Sequence, residues 1–196
     1  MKRKVLVIDD HLPSKTALMK ALVERGFEIA GEGSDSRVAQ TLARTLAPDL
    51  VLMAVGLPDP DGIAAAQAIM ENNPLPIVLL TSHYDAATIE RAKEAGVMAY
   101  LLKPLRKEEL IPTAELAISR FEEFISVKRE NRDLKKALEA RKAVERAKGI
   151  LMKKQGLSEA QAFSLIQKKS MDLRKPMAEI AQAIVLSEEI GRERTG

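Results

Sequence analysis

The sequence predicts an α/β domain of five βα units in a doubly wound parallel sheet, followed by a long helix and a small all-α unit of three helices. Two observations predict the first part. Short Val/Ile/Leu runs alternate with helical patterns, and the runs are continuously apolar, as strands covered on both faces are. A third observation predicts the second part: beyond Lys107 the alternation stops, and strongly helical composition continues to about Gln155.

Strands are expected at Val5–Ile8, Leu50–Val55, Ile77–Leu80 and Ala99–Leu102, with a weaker one at Phe27–Ala30. Helical patterns cover 13–25, 36–46, 62–72 and 85–95. The long helix from Lys107 contains one proline, Pro112, near its start, and one glycine, Gly149. Gly156 ends it, as a glycine after a helix commonly does. Ser158 and Gln161 then form an S-x-x-Q capping box that opens a helix to about Met171, with Ala162, Phe163 and Ile166 facing inward. Pro176 suits the first turn of a last helix carrying Met177, Ile180, Ala181 and Ile184 on one side. Val144, Ala147 and Leu151 supply the matching stripe on the long helix.

Composition narrows the function classes. With 46% hydrophobic and 30% charged residues, the 196-residue chain can bury a core and stay in water. Zero cysteines exclude thiol chemistry and disulfides, and two histidines, His11 and His83, make a zinc site an unfavourable expectation. No run approaches the roughly 20 apolar residues of a membrane span, and no signal peptide precedes the first strand, so a cytoplasmic protein is expected. Residues 1–112 carry 13 Lys and Arg against 15 Asp and Glu, whereas residues 141–175 carry 10 against 3. The polyanion-binding end is therefore expected to be C-terminal.

Asp9, Asp10, Ala54, Thr81 and Lys103 all close strands, which is where a doubly wound sheet binds its ligands. Taken singly, each has an ordinary explanation: a helix cap, a strand-end hydroxyl, a surface lysine, and for Tyr100 partly buried sheet packing. Jointly, in this order, with the GLPDPDG loop after the third strand, they resemble the receiver domain of two-component response regulators over about residues 1–120. The resemblance implies that Asp9, Asp10 and a carbonyl near Gly56 bind Mg²⁺. It also implies that Lys103 pairs with an acyl phosphate, and that Thr81 bonds one phosphate oxygen while Tyr100 swings inward. The phosphoacceptor position is Ala54, which has no nucleophile. Magnesium is then expected to bind weakly or not at all, since few carboxylates remain. Ala54 fits either a natural atypical receiver or an engineered Asp→Ala variant, and the retained partners favour the second. No nucleophile–base pair suggests an enzyme.

Phe124, Val127, Asn131, Leu134 and Leu138 follow a 3-4 spacing within 121–139, a short coiled-coil seam in which Asn131 favours a parallel dimer. The alternative is an amphipathic helix lying on its own receiver. From 140 to 190, the pattern VERAKGILMKKQGLSEAQAFSLIQKKSM resembles the ANTAR domain, the RNA-binding output of transcription antiterminators. The resemblance implies a response regulator with a sensor histidine kinase and leader-RNA hairpins as partners. Candidate RNA-binding residues are Arg141, Lys142, Arg146, Lys148, Gly149, Lys153, Lys168, Lys169, Ser170, Arg174 and Lys175, with the cations expected on the outside. Phe163 is expected inside, which leaves no stacking platform. Two other outputs fit a receiver: a helical DNA reader, and a protein-interaction module with a merely solvated basic face.

Overall fold

The structure, a computed structural model, describes residues 2–58, 60–83 and 85–193. It divides into two compact units, Met1–Ile125 and Ser126–Gly196. The first holds β1 (Lys4–Ile8), α1 (Leu12–Glu24), β2 (Glu28–Gly33), α2 (Ser36–Leu46), β3 (Leu50–Ala54), α3 (Gly62–Asn72), β4 (Ile77–Thr81), α4 (Ala86–Glu94) and β5 (Ala99–Leu102). Helix α5 (Lys107–Gln155) begins there and ends in the second unit, where α6 (Glu159–Leu173) and α7 (Met177–Glu193) follow. Among the described residues no helix is long and apolar enough to cross a membrane.

The strands pair in parallel in the order β2-β1-β3-β4-β5. Strand order therefore reverses between β1 and β3, which opens the crevice at their carboxyl ends. Side-chain alternation assigns each strand residue to one of two cores. Leu6, Ile8, Val51, Met53, Ile77 and Leu79 pack with Ala39 and Ala43 of α2, Ile63 and Ile69 of α3, and Ala92 of α4. Val5, Val7, Leu50, Leu52, Val78 and Leu80 pack with Leu18 and Leu22 of α1 and with Leu110, Ala114 and Ile118 of α5. Strands buried on both faces read as unbroken apolar runs, which is why the sequence identifies them. The edge strands β2 and β5 are only partly buried, and β2 is shifted toward Gly33 from the expected Phe27–Ala30.

In the second unit the core is Ala147, Leu151, Ala162, Ile166, Ile180 and Ala181. The Ser158–Gln161 capping box forms as expected. Two expectations are corrected. Phe163 is 42% exposed, because Ala162, Leu165 and Ile166 already complete the inward stripe of α6 and Phe163 falls about a quarter turn away. Pro176 lies just before α7, where its carbonyl accepts the N–H groups of Glu179 and Ile180.

Two glycines differ in meaning. A Cβ on Gly62 would lie 2.0 Å from the Ala54 carbonyl oxygen, and the Gly62 N–H donates to Val55 O at 2.9 Å. Backbone thus packs on backbone and fixes the loop that carries Gly56. A Cβ on Gly149 would meet nothing within 4 Å. Gly62→Ala should therefore destabilise the first unit by about 3 kcal/mol or more. Gly149→Ala should stabilise the second by about 0.5–1 kcal/mol. Urea unfolding followed by circular dichroism checks both signs.

Candidate functional site

The carboxyl ends of β1, β3, β4 and β5 converge on a groove of about 1010 Å³ whose lining includes Asp10, Ala54, Gly56, Thr81, His83 and Lys103. Asp9 is fully buried beside it. One Asp9 oxygen accepts the His11 N–H at 3.0 Å and the other accepts Lys103 Nζ at 2.6 Å. A buried carboxylate requires such compensation. With alanine at 54, the nearest anion that the Lys103 ammonium reaches is Asp9. The Ala54 side chain is 2% exposed and contributes only a methyl group.

The residues present fit a divalent cation poorly. Magnesium favours six oxygen ligands with one or two carboxylates among them. Asp9 is committed to Lys103 and His11, which leaves the exposed Asp10 carboxylate and the Gly56 carbonyl. Among the described residues no group of three or more His, Cys, Asp or Glu could hold a metal. Asp59 of the GLPDPDG loop lies outside the described residues.

Thr81 and Tyr100 stand apart from the groove's chemistry. The Thr81 hydroxyl donates to His83 O at 2.9 Å and accepts from the His83 N–H at 3.2 Å, so it is spent on its own loop. Tyr100 is 38% exposed rather than packed into the sheet, since β5 is the other edge strand. The space bounded by Thr81, Thr88, Ile89 and Tyr100 is about 10 Å³, room for about one water. Inward motion of the ring would require the segment after β4 to move. That segment is braced at its far side, where Asp61 at the start of α3 accepts Arg91 of α4 at 2.6 Å. Burial pushes the Asp61 carboxyl up, but the Ala64 N–H and the Arg91 guanidinium hold it below the usual carboxylate range.

In the second unit the predicted cations separate into two groups. Lys148, expected outside, is 7% exposed and is held by Glu159 Oε1 at 2.7 Å and Glu145 Oε2 at 2.9 Å. It is a clip between α5 and α6, not a surface charge. The hydrogen bonds that Lys148 donates to Glu159 and then to Glu145 raise the Lys148 pKa, and Lys148 lowers that of Glu159. Arg146 pairs with Glu189 at 2.8 Å, Lys154 with Glu188, Lys142 with Glu139 at 3.0 Å, and Lys175 with Glu179. The Ser170 hydroxyl donates to Lys175 O and closes α6. Arg141, Lys153, Lys168, Lys169 and Arg174 have no acidic partner among the described residues. The seam residues Phe124, Val127, Asn131, Leu134 and Leu138 are all exposed along α5.

Sequence reasoning missed the clip because Glu159 and Lys148 lie on different helices, and only their common motif hinted at a link. It also missed Lys15 of α1, whose buried ammonium lies 3.2 Å from Glu32 and 3.4 Å from Gly33 O at the end of β2.

Comparison with known proteins agrees with this two-part arrangement. Residues 5–115 match the response regulator receiver domain, and residues 132–185 match the ANTAR domain. The transcriptional regulatory protein PdtaR of Mycobacterium tuberculosis is 44% identical over 183 residues, covering 93% of this chain and 89% of its own. The transcriptional regulatory protein YdfI of Bacillus subtilis is 37% identical over 117 residues, 59% of this chain and 54% of its own. Among solved structures, the signal receiver domain of a modulated diguanylate cyclase from Desulfovibrio desulfuricans G20 superposes with a TM-score of 0.59. It is 28% identical and covers 62% of this chain and 98% of that one. A LuxR-family two-component response regulator from Aurantimonas sp. SI85-9A1 gives 0.56 at 30% identity, covering 61% and 86%.

Two outcomes follow from these geometries. Ala54→Asp should restore covalent phosphate uptake from a small acyl phosphate donor with Mg²⁺, whereas the chain with Ala54 should show no mass increase. The Lys148–Glu159 pair contributes stability that is present above the unfolded carboxylate pKa and is lost as pH falls through the lowered Glu159 value. On the alkaline side it is lost only as pH rises through the raised Lys148 value. The melting temperature of the second unit should thus be flat across neutral pH and fall on acidification below about pH 4. Lys148→Ala should lower it by a few degrees at pH 7, and Lys168→Ala should not.

Proposed function

The chain belongs to the response regulators that join a receiver domain to an ANTAR domain, and from that premise we propose that it binds hairpin RNA as a dimer and acts in transcription antitermination. The observation that carries this is the set of cations left without acidic partners, Arg141, Lys153, Lys168, Lys169 and Arg174, on a small helical unit matching the ANTAR domain. Lysine and arginine free of internal partners can neutralise phosphates and release counterions. Arg146, Lys148 and Lys175 are already neutralised within the fold, so they serve its geometry rather than the RNA. Gly149, open to its surroundings in mid-helix, suits close approach of a nucleic-acid backbone. The transcriptional role named for the mycobacterial relative is in keeping with this reading.

Dimerisation has its own support. Residues 126–139 are exposed all round the helix, and an isolated helical stretch of that length is marginal in water. Val127, Leu134 and Leu138 form one apolar stripe there, with Asn131 between them. A second copy laid along the same stripe would bury it, and Asn131 would set parallel register. Two equivalent ANTAR units would then engage two RNA elements together.

Input is the part this chain does without. A sensor kinase would supply phosphate to an aspartate at position 54, and the loss of that aspartate leaves Lys103 with Asp9, Thr81 with His83 and Tyr100 outward. We place the protein in the unphosphorylated form, with Mg²⁺ binding weak.

A labelled hairpin RNA and a duplex DNA of equal length, titrated at two salt concentrations, test the proposal. Tighter RNA binding that weakens steeply with salt is expected, and a preference for duplex DNA would replace it with the DNA-reader alternative. Lys168→Ala with Lys169→Ala should lower affinity about tenfold and flatten the salt slope by about two charges. In light scattering, Leu134→Asp should convert a dimer to a monomer.

A further inference from the structure

Phe163 is the only aromatic residue between 126 and 196, and it is placed where a core would not put it. It is 42% exposed on α6, outside the stripe that Ala162 and Ile166 bury. Gln167 and Ser170 follow it at spacings of four and three residues, so the three share one face of the helix, and Arg174 caps its C-terminal end. On α5, Arg141, Lys148 and Met152 follow one another at seven and four residues. The Lys148–Glu159 contact at 2.7 Å joins the two faces, because Glu159 precedes Phe163 by one turn. The exposed face of α6 thus carries an aromatic ring and an amide and ends at the guanidinium of Arg174, and Arg141 lies two turns before Lys148 on α5.

Arg174 strengthens the reading. It closes α6 in the left-handed region at φ 52°, a position where glycine costs least. An arginine kept there against backbone preference suggests that its side chain is used. Lys148, by contrast, is held by the two carboxylates of Glu145 and Glu159, whereas Arg141 and Arg174 have no acidic partner among the described residues. An exposed ring on a helix that also carries Lys168 and Lys169 and ends at Arg174, all without acidic partners among the described residues, suits an unstacked nucleobase of a phosphate-bearing strand. An apolar protein partner would have to desolvate both guanidiniums without compensation.

Building on the RNA-binding role proposed above, we propose that Phe163 is a stacking platform for one unpaired base of an RNA loop, with Arg141 and Arg174 on the flanking phosphates and Gln167 at the base edge. Stacking on an aromatic tolerates any base, so the ring supplies affinity and Gln167 supplies choice. The site would have remained hidden if Phe163 were a core residue.

The test uses the full-length protein and a labelled hairpin RNA pool with a fixed stem and a randomised loop, and the same stem closed by an abasic loop. Phe163→Leu should weaken binding of the pool roughly tenfold, with the salt slope unchanged. Phe163→Tyr should retain the affinity. On the abasic loop, wild type and Phe163→Leu should bind equally. Circular dichroism melting should be the same for all three proteins. Salt-dependent binding of the pool that Phe163→Leu leaves intact would overturn this site and leave the RNA-binding role standing. Absence of hairpin binding by the wild type would overturn both. A fall in melting temperature or loss of the dimer in Phe163→Leu would make the ring a structural or interface residue and equally overturn it.

Discussion

One helix has to serve two cores, and that constraint shapes the chain. Leu110, Ala114, Ala117 and Ile118 of α5 close one face of the β-sheet. Ala147 and Leu151 of the same helix begin the core of the second unit. Between them, residues 126–139 touch neither core. Helix propensity alone adds too little per residue to hold such a stretch, because nucleation is costly and tertiary packing normally supplies the stability. The segment nevertheless carries glutamates, lysines and leucines, which are good helix formers, and a stripe that a second copy could cover.

The pocket at the sheet edge follows a different rule, that a buried charge is never left alone. Asp9 is buried because β1 ends inside the fold, and it needs a cation. Lys103 needs an anion and has none at 54. Their 2.6 Å contact satisfies both, and it also removes Asp9 from the ligands open to a metal. With alanine at 54, the charged groups that remain satisfy one another, and the Asp9–Lys103 pair is self-neutralised.

Much of this was legible in the sequence where a physical signal is local. Continuous apolar runs located four of five strands within a residue or two, and three of these, β1, β3 and β4, are covered on both faces. The weaker β2 was displaced because its sequence, EIAGEG, has no apolar run, whereas the other edge strand, β5, reads AYLL. The capping box at Ser158 and the stop at Gly156 are likewise local chemistry. The basic face was legible only in part, and the reason is instructive. Counting charge in 141–175 leaves out Glu139, Glu179, Glu188 and Glu189, which lie outside that window and return to pair with cations inside it. Glu139 and Glu179 lie one helical turn from their partners, whereas only folding brings back Glu188 and Glu189. Lys148 was misplaced for the same reason, although Glu159 lay within the window: ion pairs between helices leave no periodicity. Phe163 was different, since the completeness of the Ala162, Leu165 and Ile166 stripe was readable and a large apolar residue was assumed to belong to it.

Three positions in the second unit depart from local preference, and they share a direction. Gly149 lies in mid-helix where alanine would fit and stabilise. Arg174 occupies a left-handed cap where glycine is favoured. Phe163 is exposed where a polar residue would be free to sit. Sequences usually keep local choices consistent with the fold, and departures without a structural return concentrate where a surface is used. None of the three improves the core made by Ala147, Ala162, Ile166 and Ala181, and each leaves something on the outside: bare backbone, a guanidinium, an aromatic ring. Those are three of the features by which a protein meets a nucleic acid, namely close backbone approach, phosphate contact and base stacking. The same stability ledger that makes these residues poor choices for a helical bundle makes them informative about its output.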